Sequence, residues 1–197
     1  MKENIAHMQE EHAQHIRTVF GFWVYIMSDC ALFATLFATF AVLHQNTFGG
    51  PGARELFSLP FVLFETIILL TSSFTAGLGL LSAHHARKNQ TIFWFAVTLL
   101  LGLSFLALEL IEFAKLVGEG NGWQRSGFLS AFFTLVGTHG AHVLSGSLWM
   151  IVLMAQTFID GITPVTLRRL TCLSLFWHFL DIVWIFIFSI VYLMPLI

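Results

Sequence analysis

The sequence predicts an all-α membrane protein built as a single bundle of five transmembrane helices. Three observations predict it. The 197 residues are 57% hydrophobic and only 10% charged, whereas soluble domains carry about 25% charged residues. The mean hydropathy is +0.82. Apolar stretches of about 20 residues or more, the length that crosses a bilayer as a helix, recur five times between short segments rich in turn formers.

The elements follow in order. Residues 1–19 are polar and partly acidic, a tail on the cytoplasmic side by the charge counts below and not a cleavable leader. Its His7, His12 and His15 lie among Glu and Gln, and a solvated tail is favoured over a metal site. The first span is Phe20–Leu43, followed by the turn-rich QNTFGGPGARE; the second is Leu59–Ser82. The third, Thr91–Phe113, precedes GEGNGWQRSG. The fourth, Leu129–Phe158, is longer than a bilayer requires and is expected to tilt or project. The fifth is Thr171–Tyr192. No loop is large enough to form a second domain and no internal repeat is visible, so residues 20–197 are expected to form one transmembrane domain. Twenty-two Phe and six Trp suit lipid-facing surfaces and interfacial belts. Cys30 and Cys172 lie within apolar segments and are expected as buried free thiols.

Charge placement predicts the orientation. The tail and the second and fourth loops share one side and carry Lys2, Arg17, Arg87, Lys88, Arg168 and Arg169, six in all; the other side carries Arg54, Lys115 and Arg125, three in all. The positive-inside rule then places the N terminus in the cytoplasm and the C terminus outside. A net charge of −2 without a basic patch argues against a nucleic-acid partner.

Polar groups at membrane depth are costly and point to a use. Asp29 lies near the middle of the first span, with no Lys or Arg within two turns on that helix. A proton-handling group and a hydrogen-bonded structural acid stand level there. Glu65, about two turns into the second span, is expected to make a buried contact within the bundle. Glu109 and Glu112 end the third span one turn apart, and a solvated helix end is favoured for them. His139 and His142, spaced i, i+3, share a helix face. Two ligands make an incomplete metal set. His178 could supply a third but pairs more naturally with Asp181 one turn on, so a hydrogen-bonded structural cluster of these four is favoured over a metal or haem site. Trp177, His178, Asp181 and Trp184 form a stripe that should face protein. Gly137, Ala141 and Ser145, and likewise Ser73 and Gly77, recur at the four-residue interval that lets helices approach closely. His84 and His85 stand beside Arg87 and Lys88, where a headgroup contact is plausible. No phosphate-binding glycine loop, nucleophile elbow or Cys-rich metal motif occurs.

At these residues the chain resembles subunit III of the haem-copper terminal oxidases. The matching motifs are GTHGAHVLSG in the fourth span and WHFLDIVW in the fifth, with GFWVYIMSDCALFATLFATFAVL in the first and RSGFLSAFF before the fourth. The likeness runs in order through nearly the whole chain after about Phe20. Cytochrome c oxidase subunit III usually has seven helices, and this chain resembles the shorter, five-helix branch found in bacterial quinol oxidases. Ser28-Asp29 resembles the ubiquinol oxidases of the bo type, where the cytochrome c branch has Ser-Glu; menaquinol oxidases and an accessory subunit of nitric oxide reductases share the five-helix plan. The resemblance implies a non-catalytic subunit in the bacterial inner membrane, part of a proton-translocating quinol oxidase. It would hold no haem, copper or other cofactor of its own, the haem and copper lying in subunit I. It would pack against subunit I beside the other oxidase subunits and membrane lipids, supporting stability and proton uptake. Asp29 occupies the position of the family's intramembrane acid, while a catalytic role for His139, His142, His178 or Asp181 is put in doubt. Two rival readings remain: an independent haem or metal enzyme using His139, His142 and His178, and a proton-coupled transporter relaying through Asp29, Glu65 and Asp181. Against the transporter stands the lack of a repeat or a broken-helix pair.

Overall fold

Helix α1 spans Lys2–Leu43, the short α2 Ala53–Leu56, α3 Leu59–His84, α4 Lys88–Gly118, α5 Gly127–Asp160 and α6 Pro164–Ile187; α6 then continues as a π-helical segment, Phe188–Leu193. The computed structural model describes residues 2–194, with side chains described for residues 16–53 and 55–194. The histidine side chains of the tail and the end of the chain at Ile197 lie outside the described residues. Among the described residues, five helices are long and apolar enough to cross a membrane.

Several ends differ from the sequence prediction, each for a local reason. Helix α1 does not start at Phe20. Residues 2–19 contain no Gly or Pro and are rich in Glu, Gln and Ala, which favour helix without favouring lipid. Hydropathy marks where the apolar span begins, and not where the helix begins. Helix α5 starts at Gly127 because the Ser126 hydroxyl accepts the backbone N–H of Leu129 at 3.1 Å. Helix α6 starts well before Thr171: the Thr163 hydroxyl accepts the N–H of Thr166 at 3.1 Å, and Pro164 takes the first helical position, where its missing N–H costs nothing. Gly161, at a φ of +76°, closes α5 and lets the chain reverse into that cap.

The four helices α3 to α6 form a closed group. Helix α3 packs on α4 and α6, and α5 packs on α4 and α6, while α1 leans on α5 and α6 from one side. In the most apolar stretch of α6, 50% of the residues are buried within the chain, against 22% for α1, so α6 is the central helix and α1 the peripheral one. The outer surface is apolar: Phe20, Phe74, Leu100 and Leu110 are all exposed. Such an exterior is stable only against a solvent as apolar as itself, as a bilayer is.

Polar contacts stitch the interior. The indole N–H of Trp177 donates to Ser72 Oγ at 2.9 Å and that of Trp184 to Thr66 Oγ1 at 3.0 Å, both from α6 to α3. Thr75 and Thr98 join α3 to α4 through their hydroxyls at 2.9 Å. Close helix approach is set by glycines other than the predicted small-residue series. A Cβ on Gly102 would lie 2.8 Å from the Trp177 ring, and one on Gly146 3.0 Å from Phe176. Ala141 and Ser145 instead lie exposed on the outer face of α5, and a Cβ on Gly77 would meet nothing within 4 Å. The interval alone cannot say which way a small face is turned. Cys172 is buried as expected, but Cys30 is exposed, because α1 covers little of its own circumference.

Candidate functional site

The predicted polar residues separate into three environments along the bundle. In the first, Asp29 on α1 is buried at 7% exposure and faces His142 on α5, with Asp29 Oδ2 3.8 Å from His142 Nε2. His142 Nδ1 lies 2.8 Å from the carbonyl of Thr138. A carbonyl only accepts, so Nδ1 must carry a hydrogen, which leaves Nε2 to meet the carboxyl. The facing atoms repel when neither carries a proton and attract when one does. At 3.8 Å the contact is longer than a hydrogen bond, close enough for an electrostatic pair or one bridging water. The side chain of Tyr25, one turn earlier on α1, reaches the same carboxyl, and the ring of Phe33 covers His142 at 5.2 Å between centroids. The sequence identified Asp29 but not its partner, because His142 comes from another helix.

The second environment corrects the expected pairing on α6. His178 Nδ1 is held by Ser73 Oγ of α3 at 2.5 Å, not by Asp181. Asp181 is buried at 5% exposure beside the same serine, and neither of its oxygens finds a partner with hydrogen-bond geometry. The stripe itself faces protein: Trp177 and Trp184 are buried on either side of Asp181. His139 is not part of this group. It is fully buried, stacked on Trp184 at 5.3 Å and edge-on to Phe105 at 5.9 Å, and neither ring nitrogen has a hydrogen-bond partner. His139 and His142 do share a face of α5, both touching the Phe33 ring, at 6.4 and 5.2 Å between centroids, but the four predicted cluster residues do not hydrogen-bond to one another. Among the described residues, no three His, Cys, Asp or Glu side chains converge in a way that could hold a metal ion.

The third environment was misread from the sequence. Glu109 and Glu112 do not end α4 in solvent; the helix continues to Gly118, and the two are buried at 3% and 8% exposure. Glu65 on α3, fully buried, joins them, and the three carboxyls act electrostatically on one another. Glu109 lies directly against the backbone of α5, where a Cβ on Gly140 would come within 2.7 Å of its carboxyl. The Tyr192 hydroxyl, carried into the bundle by the π-helical segment, donates to Glu112 Oε2 at 3.2 Å. A Tyr at the end of an apolar run, opposite acids of two other spans, was the signal available for this group. Its position inside the bundle was not, since a π turn is not legible in periodicity.

Two hollows flank these groups. One of about 440 Å³ lies between α1, α5 and α6, walled by Phe22, Tyr25 and Trp149 with Arg168 and Arg169 at its mouth. The other, of about 250 Å³, reaches Glu112 past Leu56, Ser58, Phe61 and Lys115. His84 and His85 stand away from both, and the His85 ring bonds the carbonyl of Leu81 on its own helix at 2.8 Å.

A five-span helical bundle with an apolar exterior, two buried indoles tying α6 to α3, and an acid–histidine pair between α1 and α5 defines an integral-membrane bundle subunit. The chain belongs to the cytochrome c oxidase subunit III family, whose family model matches residues 2–195. It is 59% identical over 177 residues to the cytochrome bo(3) ubiquinol oxidase subunit 3 of Pseudomonas aeruginosa, covering 90% of this chain and 85% of that protein. It is 54% identical to the protein of the same name from Pseudomonas putida, covering 90% and 86%. To the cytochrome c oxidase subunit 3 of Bacillus sp. (strain PS3) it is 44% identical, again covering 90% and 86%.

Proposed function

We infer that the chain is subunit III of a quinol oxidase, a membrane complex that oxidises quinol and reduces oxygen. The observation that carries this is the 59% identity to a subunit named for a bo(3) ubiquinol oxidase, across 90% of this chain. The quinol donor is favoured over cytochrome c because two relatives named for ubiquinol oxidases reach 59% and 54% identity, while one named for a cytochrome c oxidase reaches 44%. Ser28-Asp29 points the same way. Within that complex the chain binds subunit I, and through it the proton-pumping machinery with its haem and copper, while contributing no cofactor itself. It lies in the bacterial inner membrane with its N terminus in the cytoplasm, as the six-to-three Lys and Arg asymmetry supports.

Its own residues do two things in this reading. The helix bundle braces the partner, held rigid by the Trp177 and Trp184 hydrogen bonds. Any part in proton uptake falls to Asp29 and His142, which face each other at 3.8 Å. The hollow at Arg168 and Arg169 suits a membrane lipid, with an anionic headgroup at the guanidinium groups and an acyl chain along Phe22 and Trp149. The test is purification by an affinity tag on this chain from membranes in mild detergent. A haem-bearing, many-helix partner and quinol oxidase activity should come with it. Recovery of the chain alone, with the activity left in the untagged fraction, would overturn the assignment.

A further inference from the structure

Three buried carboxyl side chains lie near enough to act electrostatically on one another in the half of the bundle that holds α2. Glu65 comes from α3, Glu109 and Glu112 from α4, and Tyr192 from the π-helical segment closes them off. Glu65 is fully buried, and neither of its oxygens has a hydrogen-bond partner; Glu109 Oε2 has none either. Among the described residues no Lys or Arg lies within ion-pair distance of any of the three. Lys115 acts on Glu112 from beyond that distance. On α5, the element facing them across Gly140, the nearest titratable group is His139, whose ring stacks on Trp184.

A carboxylate out of water needs a cation, donors or a proton. The first is absent at ion-pair range, and the donors fall short: the Tyr192 hydroxyl reaches Glu112 alone, and both Glu65 oxygens and Glu109 Oε2 are left without a donor. A proton also turns a carboxyl into a donor, so acids that share protons can satisfy one another as acceptors alone cannot. The 250 Å³ pocket between Ser58, Phe61 and Lys115 is lined by Glu112, the one acid of the three that it touches.

We propose that Glu65, Glu109 and Glu112, capped by Tyr192, form a proton-holding site that exchanges with water through the pocket beside Ser58 and Phe61. It is separate from the pair at Asp29 and His142, which lies between α1 and α5. Each uptake converts a carboxylate and a hydronium ion to a carboxylic acid and a water molecule. The site stands on this chain's own residues, whichever oxidase partner the chain braces.

Infrared spectroscopy of the intact purified complex tests it through the carbonyl stretch of protonated carboxyls. The wild-type complex is compared with one depleted of this chain, across a pH series and in D2O. A carboxyl band belonging to this chain should persist in Asp29→Asn and in Asp181→Asn, titrate, and shift on deuterium exchange. It should weaken in Glu65→Gln or Glu109→Gln. Ser58→Phe, which narrows the pocket, should slow the exchange. A band lost entirely in Asp29→Asn or Asp181→Asn overturns the proposal. So does a band that neither titrates nor exchanges, which would mark permanently neutral structural acids, and so does the absence of any such band. Should a glutamine variant leave the complex, the wild-type titration with Asp29→Asn and Asp181→Asn still decides between these outcomes. Failure here leaves the oxidase assignment untouched, since that is read from the co-purifying partner.

Discussion

Gly102 offers the sharpest test of how the bundle is held together. Replacing it with alanine would place a methyl group 2.8 Å from two carbons of the Trp177 indole. Carbon atoms normally rest about 3.5–4.0 Å apart, so the ring would have to retreat by about 0.7 Å or more. It has nowhere to go. Trp177 is 1% exposed, and a Cβ on Gly146 would already lie 3.2 Å from the ring. Its N–H is committed to Ser72 Oγ at 2.9 Å, and a retreat would stretch that bond. Overpacking of this kind costs about 1–3 kcal/mol, and losing a buried hydrogen bond adds about 0.5–1.5 kcal/mol. We expect Gly102→Ala to destabilise the subunit by about 1.5–4.5 kcal/mol in sum. Gly77→Ala is the control: its new methyl group meets nothing within 4 Å, and alanine is favoured over glycine inside a helix by about 0.5–1 kcal/mol. The assay is the temperature at which this subunit dissociates from the purified complex. Gly102→Ala should fall well below wild type and Gly77→Ala should match or exceed it. Equal behaviour of the two variants would refute the claim that Gly102 makes the room on α4 that the Trp177 ring of α6 fills.

Further expectations concern the polar groups. Ser73→Ala removes the hydroxyl that holds His178 Nδ1 and should cost about 1–3 kcal/mol in the same assay; Asp181→Asn should cost less, because neither Asp181 oxygen has a hydrogen-bond partner to lose. The reverse order would show that Asp181, not Ser73, anchors this part of α6. Asp29→Asn keeps the shape opposite His142 but cannot exchange a proton, so the subunit should be retained while the oxidase inactivates sooner under sustained turnover. Unchanged rate, pumping and turnover lifetime across a pH series would leave Asp29 purely structural. For topology, a periplasmic reporter fused after Ile197 should be active and one at Met1 silent; the opposite pattern would invert the orientation drawn from the Lys and Arg counts.

The sequence by itself determined that the chain crosses the membrane five times, roughly where each span lies, and which side carries more Lys and Arg. The reason is that spanning depends on hydropathy summed along one helix, a local property. The same local legibility extends to Asp29 and Glu65, since an acid in an apolar run stands out whatever surrounds it. The caps at Ser126 and Thr163-Pro164 were also written in the sequence, and they moved the starts of α5 and α6 outward from the hydropathy edges. Only the tertiary structure decided which polar groups meet. His178 turned to Ser73 on α3 instead of to Asp181 one turn away. His142 and His139, three residues apart, went to an acid and to an indole respectively. Glu109 and Glu112, placed near a helix end by hydropathy, were enclosed by Glu65, Gly140 and Tyr192 from three other segments. A polar side chain's partner depends on which helices are neighbours and how each is rotated about its axis. Packing across the whole bundle sets that rotation, at contacts such as Gly102 against Trp177, and no window along a single helix contains it.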